Sequence, residues 1–181
     1  MLEEEIIESG AFRTGEFTLA SGKTSDYYID LRVAITKPDF LKKVVVAIGK
    51  LVSGHDRIAG VELSAVPIAA ALSLETGIPY LMVRKGKKDH GTQNLVEGGL
   101  SPGDRVLFVE DTATTAGSLV NAIKAVREAG GDVDTAVVIV DREEGAIENL
   151  ASIGVKLIRL ADLSRLRKLA GERFSNSSLS R

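Results

Sequence analysis

The sequence predicts an α/β fold, a parallel sheet of about five strands flanked by helices, with a small N-terminal hood. From about residue 39 onward, short apolar runs rich in β-branched residues alternate with longer helical patterns, the rhythm of strands joined by crossover helices. The runs themselves, RVLFVE and TAVVIV among them, are nearly continuous in apolar residues, as strands buried on both faces are. At 181 residues the chain has the size of one domain with a real core.

Each element has its own signal. Pro38-Asp39 opens a helix through about residue 51, with proline where its missing N–H costs least. Residues 57–61 are a short strand, and 67–76 a small-residue helix stopped by Gly77. Residues 79–83 and 105–110 read as buried strands, 118–129 as a helix closed by Gly130-Gly131, and 135–140 as a strand. A helix near 144–152 and a strand at 155–159 follow. The first 37 residues break this rhythm: 3–9 is helical, and 16–20 and 27–31 are extended segments around a Ser-Gly-Lys-Thr-Ser turn. We therefore divide the chain into a hood (1–37), a core (38–172) and a Ser-rich tail (173–181) expected to fray.

Composition excludes several classes. Lysine and arginine number 23 against 25 aspartates and glutamates, a net charge of −2, so no global field holds a nucleic acid or an anionic membrane. The absence of cysteine removes disulfides, thiolate metal sites and cysteine nucleophiles, and fits a reducing cytoplasm. The N-terminus is acidic where a secretory signal is basic, and no apolar run approaches the roughly 20 residues of a membrane span. Two histidines, His55 and His90, are too few for an imidazole metal site. His55, in an SGHDR turn, reads as a surface imidazole. The expected metal is Mg2+ carried by a phosphorylated substrate, not one held by protein side chains alone.

The chemistry concentrates in residues 106–126, VLFVEDTATTAGSLVNAIKAV. Ligands of open α/β sheets sit beyond the carboxyl ends of the strands, and here Glu110 and Asp111 end a strand. Thr112, Thr114, Thr115 and Ser118 offer hydroxyls, while Ala113, Ala116 and Gly117 let backbone N–H groups approach. The next helix points its positive end at the same place. This is a phosphate cradle whose two carboxylates call for polyol hydroxyls or a cation, so a sugar phosphate suits it. Neither a Walker A loop nor a dinucleotide fingerprint follows any strand. The plain alternative is an ordinary turn with Ser118 as an N-cap. A second cluster, RKGKKDHGTQN at 84–94, gathers Arg84, Lys85, Lys87, Lys88 and His90; alone it would be a solvated loop, but beside a phosphate cradle it reads as a cover for an anion.

The acidic pair with its Thr-rich loop resembles the phosphoribosyl diphosphate loop of the type I phosphoribosyltransferases. Arg84, Lys85, Lys88, His90 and Gly91, continued by Val96-Glu97-Gly98, resemble the catalytic loop of the orotate phosphoribosyltransferase family. FTLASGKTSDYYID at 17–30 is similar to that family's base-holding segment, and Asp141-Arg142 stands where the family places an arginine against orotate. The chain departs from it at three places: Ala20 where some members have lysine, with Lys23 nearby, Ala116 where many have glycine, and the pair Ser64-Ala65 where others have glycines or Tyr-Lys.

The resemblance implies transfer of ribose 5-phosphate from phosphoribosyl diphosphate (PRPP) to orotate, with Mg2+ as cofactor. It implies catalytic roles for Lys88, His90 and Asp111. PRPP contacts would come from Arg84, Lys85, Lys88, His90, Glu110, Asp111 and the run from Thr112 through Ser118. Orotate would meet Thr114, Arg142, Tyr27 and Tyr28. It further implies a homodimer in which loop 84–94 crosses to the partner's site. Two other readings stand beside it: a transferase for a purine base, disfavoured by Arg142 and the histidine-containing loop, and a regulator that senses PRPP or binds RNA, for which no basic face or added domain is present.

Overall fold

The computed structural model describes residues 1–18, 22, 24–86 and 94–178, with side chains through residue 172. The hood contains α1 (Leu2–Glu8), an antiparallel pair β1 (Phe12–Thr18) and β2 (Thr24–Ile29), and α2 (Arg32–Ile35). The core follows as α3 (Pro38–Gly49), β3 (Arg57–Val61), α4 (Ala65–Thr76), β4 (Tyr80–Val83), β5 (Val96–Glu97) and β6 (Arg105–Ala113). It continues with α5 (Gly117–Glu128), β7 (Asp132–Asp141), α6 (Ala146–Ala151), β8 (Lys156–Asp162) and α7 (Leu163–Ser178). The sheet order is β5-β4-β3-β6-β7-β8. Five of these strands run parallel, as expected; β5 pairs antiparallel with β4 and was not anticipated, because two residues carry no periodicity.

Alternate residues of each central strand enter opposite cores. Ile58, Leu107, Val109, Val137 and Ile139 pack under α3, α4 and α7, while Ala59, Val106, Phe108, Ala136 and Val138 pack under α5 and α6. That two-sided burial is why the runs are apolar throughout. Helix α4 ends at Gly77, whose φ of 73° is the left-handed cap that glycine adopts freely.

The N-terminal segment is not a separate layer. Ile6, Ala11, Phe12, Tyr27 and Leu31 are buried in the same cluster as the sheet residues under α3. Glu3 and Glu5 of α1 pair with Arg165 of α7 (2.9 Å) and Lys43 of α3 (2.8 Å). Helix α7 revises the sequence reading, since its backbone stays helical to Ser178, within the stretch expected to fray. Leu163, Leu166 and Ala170 are buried; this narrow i, i+3, i+7 stripe holds the helix while Ser, Arg and Lys occupy its other faces. His55 also differs from expectation: its ring is nearly buried, Nδ1 lying 3.2 Å from the Val52 carbonyl and Nε2 3.7 Å from Asp134.

Gly60 in β3 sets the seat of α4. A Cβ built there would lie 2.6 Å from the Ala65 carbonyl oxygen and 3.1 Å from the Ala69 Cβ, so the helix rests directly on the strand. Gly60→Ala is therefore expected to destabilise the fold by about 1–3 kcal/mol through overpacking. A thermal melt checks this; an unchanged midpoint would mean that α4 shifts aside freely.

Candidate functional site

Strand β6 carries Val106 to Val109 buried and then delivers two carboxylates at its C-terminal end. Glu110 is also buried, and its Oε1 accepts the Asp111 N–H at 3.0 Å; Asp111 Oδ1 accepts the Thr112 N–H at 2.7 Å. Burial first, and then the charge of Asp111, push the Glu110 carboxyl up from an ordinary 4.5 to about 8, with Lys85 opposing. At neutral pH one of the two carboxyls therefore carries a proton, as expected of like charges in a low-dielectric site.

The strand continues through Thr112 and Ala113 before the chain turns. Ala116 turns it with φ 59° and ψ 20°, left-handed backbone that glycine adopts at less cost. Its carbonyl accepts the Val120 N–H at 2.8 Å, and Asn149 Nδ2 of α6 donates to the Thr115 carbonyl at 2.8 Å, fixing the loop from behind. The N-cap of α5 is Ala116 and it makes no side-chain cap bond, so Ser118 lies inside the first turn and is not the cap. The first N–H groups of α5 are thus left to an anion.

A cleft of about 300 Å³ opens over these groups, lined by Glu110, Asp111 and every residue from Thr112 to Leu119, with Ser64 and Lys85 facing them from the neighbouring strand ends. Glu62, joined to Leu63 by a cis peptide bond, accepts the Lys85 N–H on Oε1 at 2.7 Å, and the Arg84 N–H donates to the Leu95 carbonyl at 2.8 Å. The basic segment therefore springs from a hairpin whose base is pinned beside the cradle. Among the described residues Arg84 does not line the cleft, and its Nε is buried with no hydrogen-bond partner. Lys88 and His90, like Ala20 and Lys23, lie outside the described residues.

Arg142 follows directly on β7, its N–H donating to the Ala113 carbonyl at 2.9 Å, which sets it beside the start of the phosphate loop. Its Nη2 and Nε donate to the Tyr27 hydroxyl at 2.9 and 3.3 Å. The Tyr27 ring is buried against Phe12, with the guanidinium carbons of Arg142 and Arg167 at 5.3 and 4.8 Å from its centroid. Tyr27 therefore offers this site its hydroxyl and not a ring face. Tyr28 stands elsewhere on β2, beside Phe17 and under Arg13.

Three residues escaped the sequence reading as site components, while Ser64, named there as a departure from the family pattern, does line the cleft. Glu62 and Glu144 look like ordinary surface acids in sequence. Arg167 reaches Asp26 and Tyr27 from a helix that sequence patterning did not reveal. Among the described residues no group of three or more acidic or imidazole side chains could hold a metal, and no helix is long and apolar enough to cross a membrane.

Residues 35–163 match the family model of the phosphoribosyl transferase domain. The chain is 52% identical over 170 residues to the orotate phosphoribosyltransferase of Pyrococcus abyssi, covering 92% of this chain and 93% of that one. It is 50% identical over 161 residues to the enzyme of that name from Methanocaldococcus jannaschii, covering 88% and 92%. Among solved structures, orotate phosphoribosyltransferase from Aeropyrum pernix superposes with a TM-score of 0.85 at 35% identity, covering 94% of this chain and 98% of that one.

Proposed function

The chain belongs to the phosphoribosyl transferase family, as an orotate phosphoribosyltransferase of pyrimidine biosynthesis, and from that premise we propose how its residues divide the work. The observation that carries the reading is the cleft itself: an acidic pair, a hydroxyl-rich loop and the open N-terminus of α5 form one wall, Lys85 faces it, and Arg142 stands at its end. The run from Thr112 to Ser118 holds the 5′-phosphate. Glu110 and Asp111 hold the ribose hydroxyls. Arg142 presents a planar fork to the orotate carboxylate, with the Tyr27 hydroxyl beside it.

In the reaction, orotate N1 gives up its proton and bonds to C1 of the sugar as the C1–O bond to diphosphate breaks, the electron pair leaving with the diphosphate, whose oxygens can take up that proton. The sugar passes through a cation-like state, so Asp111, fixed by the Thr112 N–H, supplies negative charge where positive charge develops. Lys85, and with it Lys88 and His90 of the basic segment, meets the departing polyanion. Two carboxylates cannot enclose an ion alone, but they suit one delivered on a diphosphate and ribose hydroxyls. Mg2+ so delivered would neutralise the diphosphate as it leaves.

The working unit in this proposal is a cytoplasmic homodimer. Leu63, Leu74, Tyr80 and Met82 are exposed apolar side chains of the β3-α4-β4 unit, and exposed apolar surface favours burial against a second copy. Sedimentation would give the mass. The function is tested by following orotate absorbance with PRPP, with and without Mg2+, against adenine, hypoxanthine and uracil. Turnover of orotate alone, abolished by chelation, is expected; turnover of a purine instead would overturn the base assignment.

A further inference from the structure

Arg142 already holds a carboxylate. Glu144 Oε1 lies 2.9 Å from Arg142 Nη2 and 3.4 Å from the Tyr27 hydroxyl, which donates to it while accepting from the arginine. The three groups form a closed triangle at the mouth of the base site. Backbone around it is held firmly: the Glu143 N–H donates to Asp141 Oδ1 at 2.9 Å, and the Glu143 carboxylate accepts the Ser164 N–H at 3.0 Å and the Ser164 hydroxyl at 2.5 Å, at the start of α7. The Glu144 side chain is the looser partner, 44% exposed against 23% for Arg142. It can turn out into water, whereas the arginine has less water to turn to.

We propose that Glu144 is an affinity-setting residue that occupies, in the empty site, the place on Arg142 taken by the carboxylate of the incoming base. This rests on the reading of Arg142 as the orotate contact. Binding is then an exchange of one carboxylate for another on the same guanidinium, not the capture of an anion by a bare cation. A base that bears a carboxylate displaces Glu144 and pays for the lost internal pair. A base without one, such as uracil, leaves the Arg142–Glu144 pair closed and draws nothing from the arginine. Glu144 thereby keeps Arg142 paired between turnovers and lowers the affinity for orotate, which also eases release of a product that keeps the same carboxylate.

The test measures KM for orotate at saturating PRPP and Mg2+, and the inhibition constant of uracil, in the wild type, Glu144→Gln and Arg142→Lys. Glu144→Gln removes the competing charge while keeping a similar shape, so KM for orotate is expected to fall about three- to fivefold, the scale of a partly exposed ion pair. The gain should lie in KM and not in kcat, and uracil inhibition should not tighten with it. Arg142→Lys, with one ammonium in place of a fork, should raise the orotate KM. If Arg142→Lys raises KM while Glu144→Gln leaves it unchanged or raises it, Glu144 only props the arginine and the exchange is overturned. A parallel gain for uracil overturns it as well. An orotate KM untouched by Arg142→Lys overturns the base-site reading and the exchange together.

Discussion

Mixing Lys88→Ala chains with Asp111→Asn chains should restore activity that neither variant has alone. Lys88→Ala alone is expected to lower kcat by about 10²- to 10³-fold, the usual cost of removing one preorganised group that meets transition-state charge. Asp111→Asn should lower it as well: the amide can still accept a hydrogen bond, as Asp111 Oδ1 does from Thr112, but it no longer carries the charge that favours a cationic sugar. In a homodimer that shares segment 84–94, subunit exchange places an intact segment over an intact cradle at one of the two sites of each heterodimer. Random pairing of equal amounts then yields about a quarter of wild-type activity. No recovery after complete exchange would mean that Lys88 serves its own chain, and the shared-segment proposal would be withdrawn while the transfer chemistry stood.

Glu110→Gln should make the ligand-free protein less sensitive to pH between about 4.5 and 8. The folded protein keeps a proton on Glu110 up to about pH 8, whereas the unfolded chain releases it near 4.5. Across that window the native state binds more protons than the unfolded one, so this group costs stability progressively as pH rises; below 4.5 both states are protonated and the cost vanishes. Glutamine is neutral throughout. The melting temperature of Glu110→Gln is expected to exceed the wild type by roughly 5–10 °C at pH 8 and to match it at pH 4.5. Parallel melting curves across the range would mean that Glu110 is ionised in the folded protein.

Much of this was legible in the letters, for identifiable reasons. Five strands were readable because burial on both faces demands unbroken apolar runs, and the cradle because a strand ending in Glu110-Asp111 must be followed by a turn of small and hydroxyl residues to admit a phosphate. Helix α7 was not readable: three buried residues, Leu163, Leu166 and Ala170, give a stripe too thin to stand out among arginines and serines. Nor was the partnership around Arg142. Tyr27 meets it across 115 positions, and Arg167 meets Asp26 across 141, and such pairings follow from topology, not from local pattern. The identity of Arg142 as a site residue came through resemblance; the carboxylate sitting on it came only from the fold.

The docking of the hood against α7 has a consequence for the order in which the chain can be finished as it is synthesised. Glu3 needs Arg165, Asp26 needs Arg167, and Tyr27 is enclosed by Arg142 on one side and Arg167 on the other. Residues 3–27 leave the ribosome well before their partners, which lie 115 positions downstream for Tyr27 and Arg142 and 141 for Asp26 and Arg167. The phosphate cradle, built from residues 57–129, can be assembled well before that point, because its strands and helices are near neighbours in sequence and local closure is fast. A nascent chain released after β7 would thus carry a pocket for the sugar phosphate and no completed pocket for the base. The hood waits for its place until α7 is made, and selectivity for the acceptor comes after the capacity to hold the sugar phosphate.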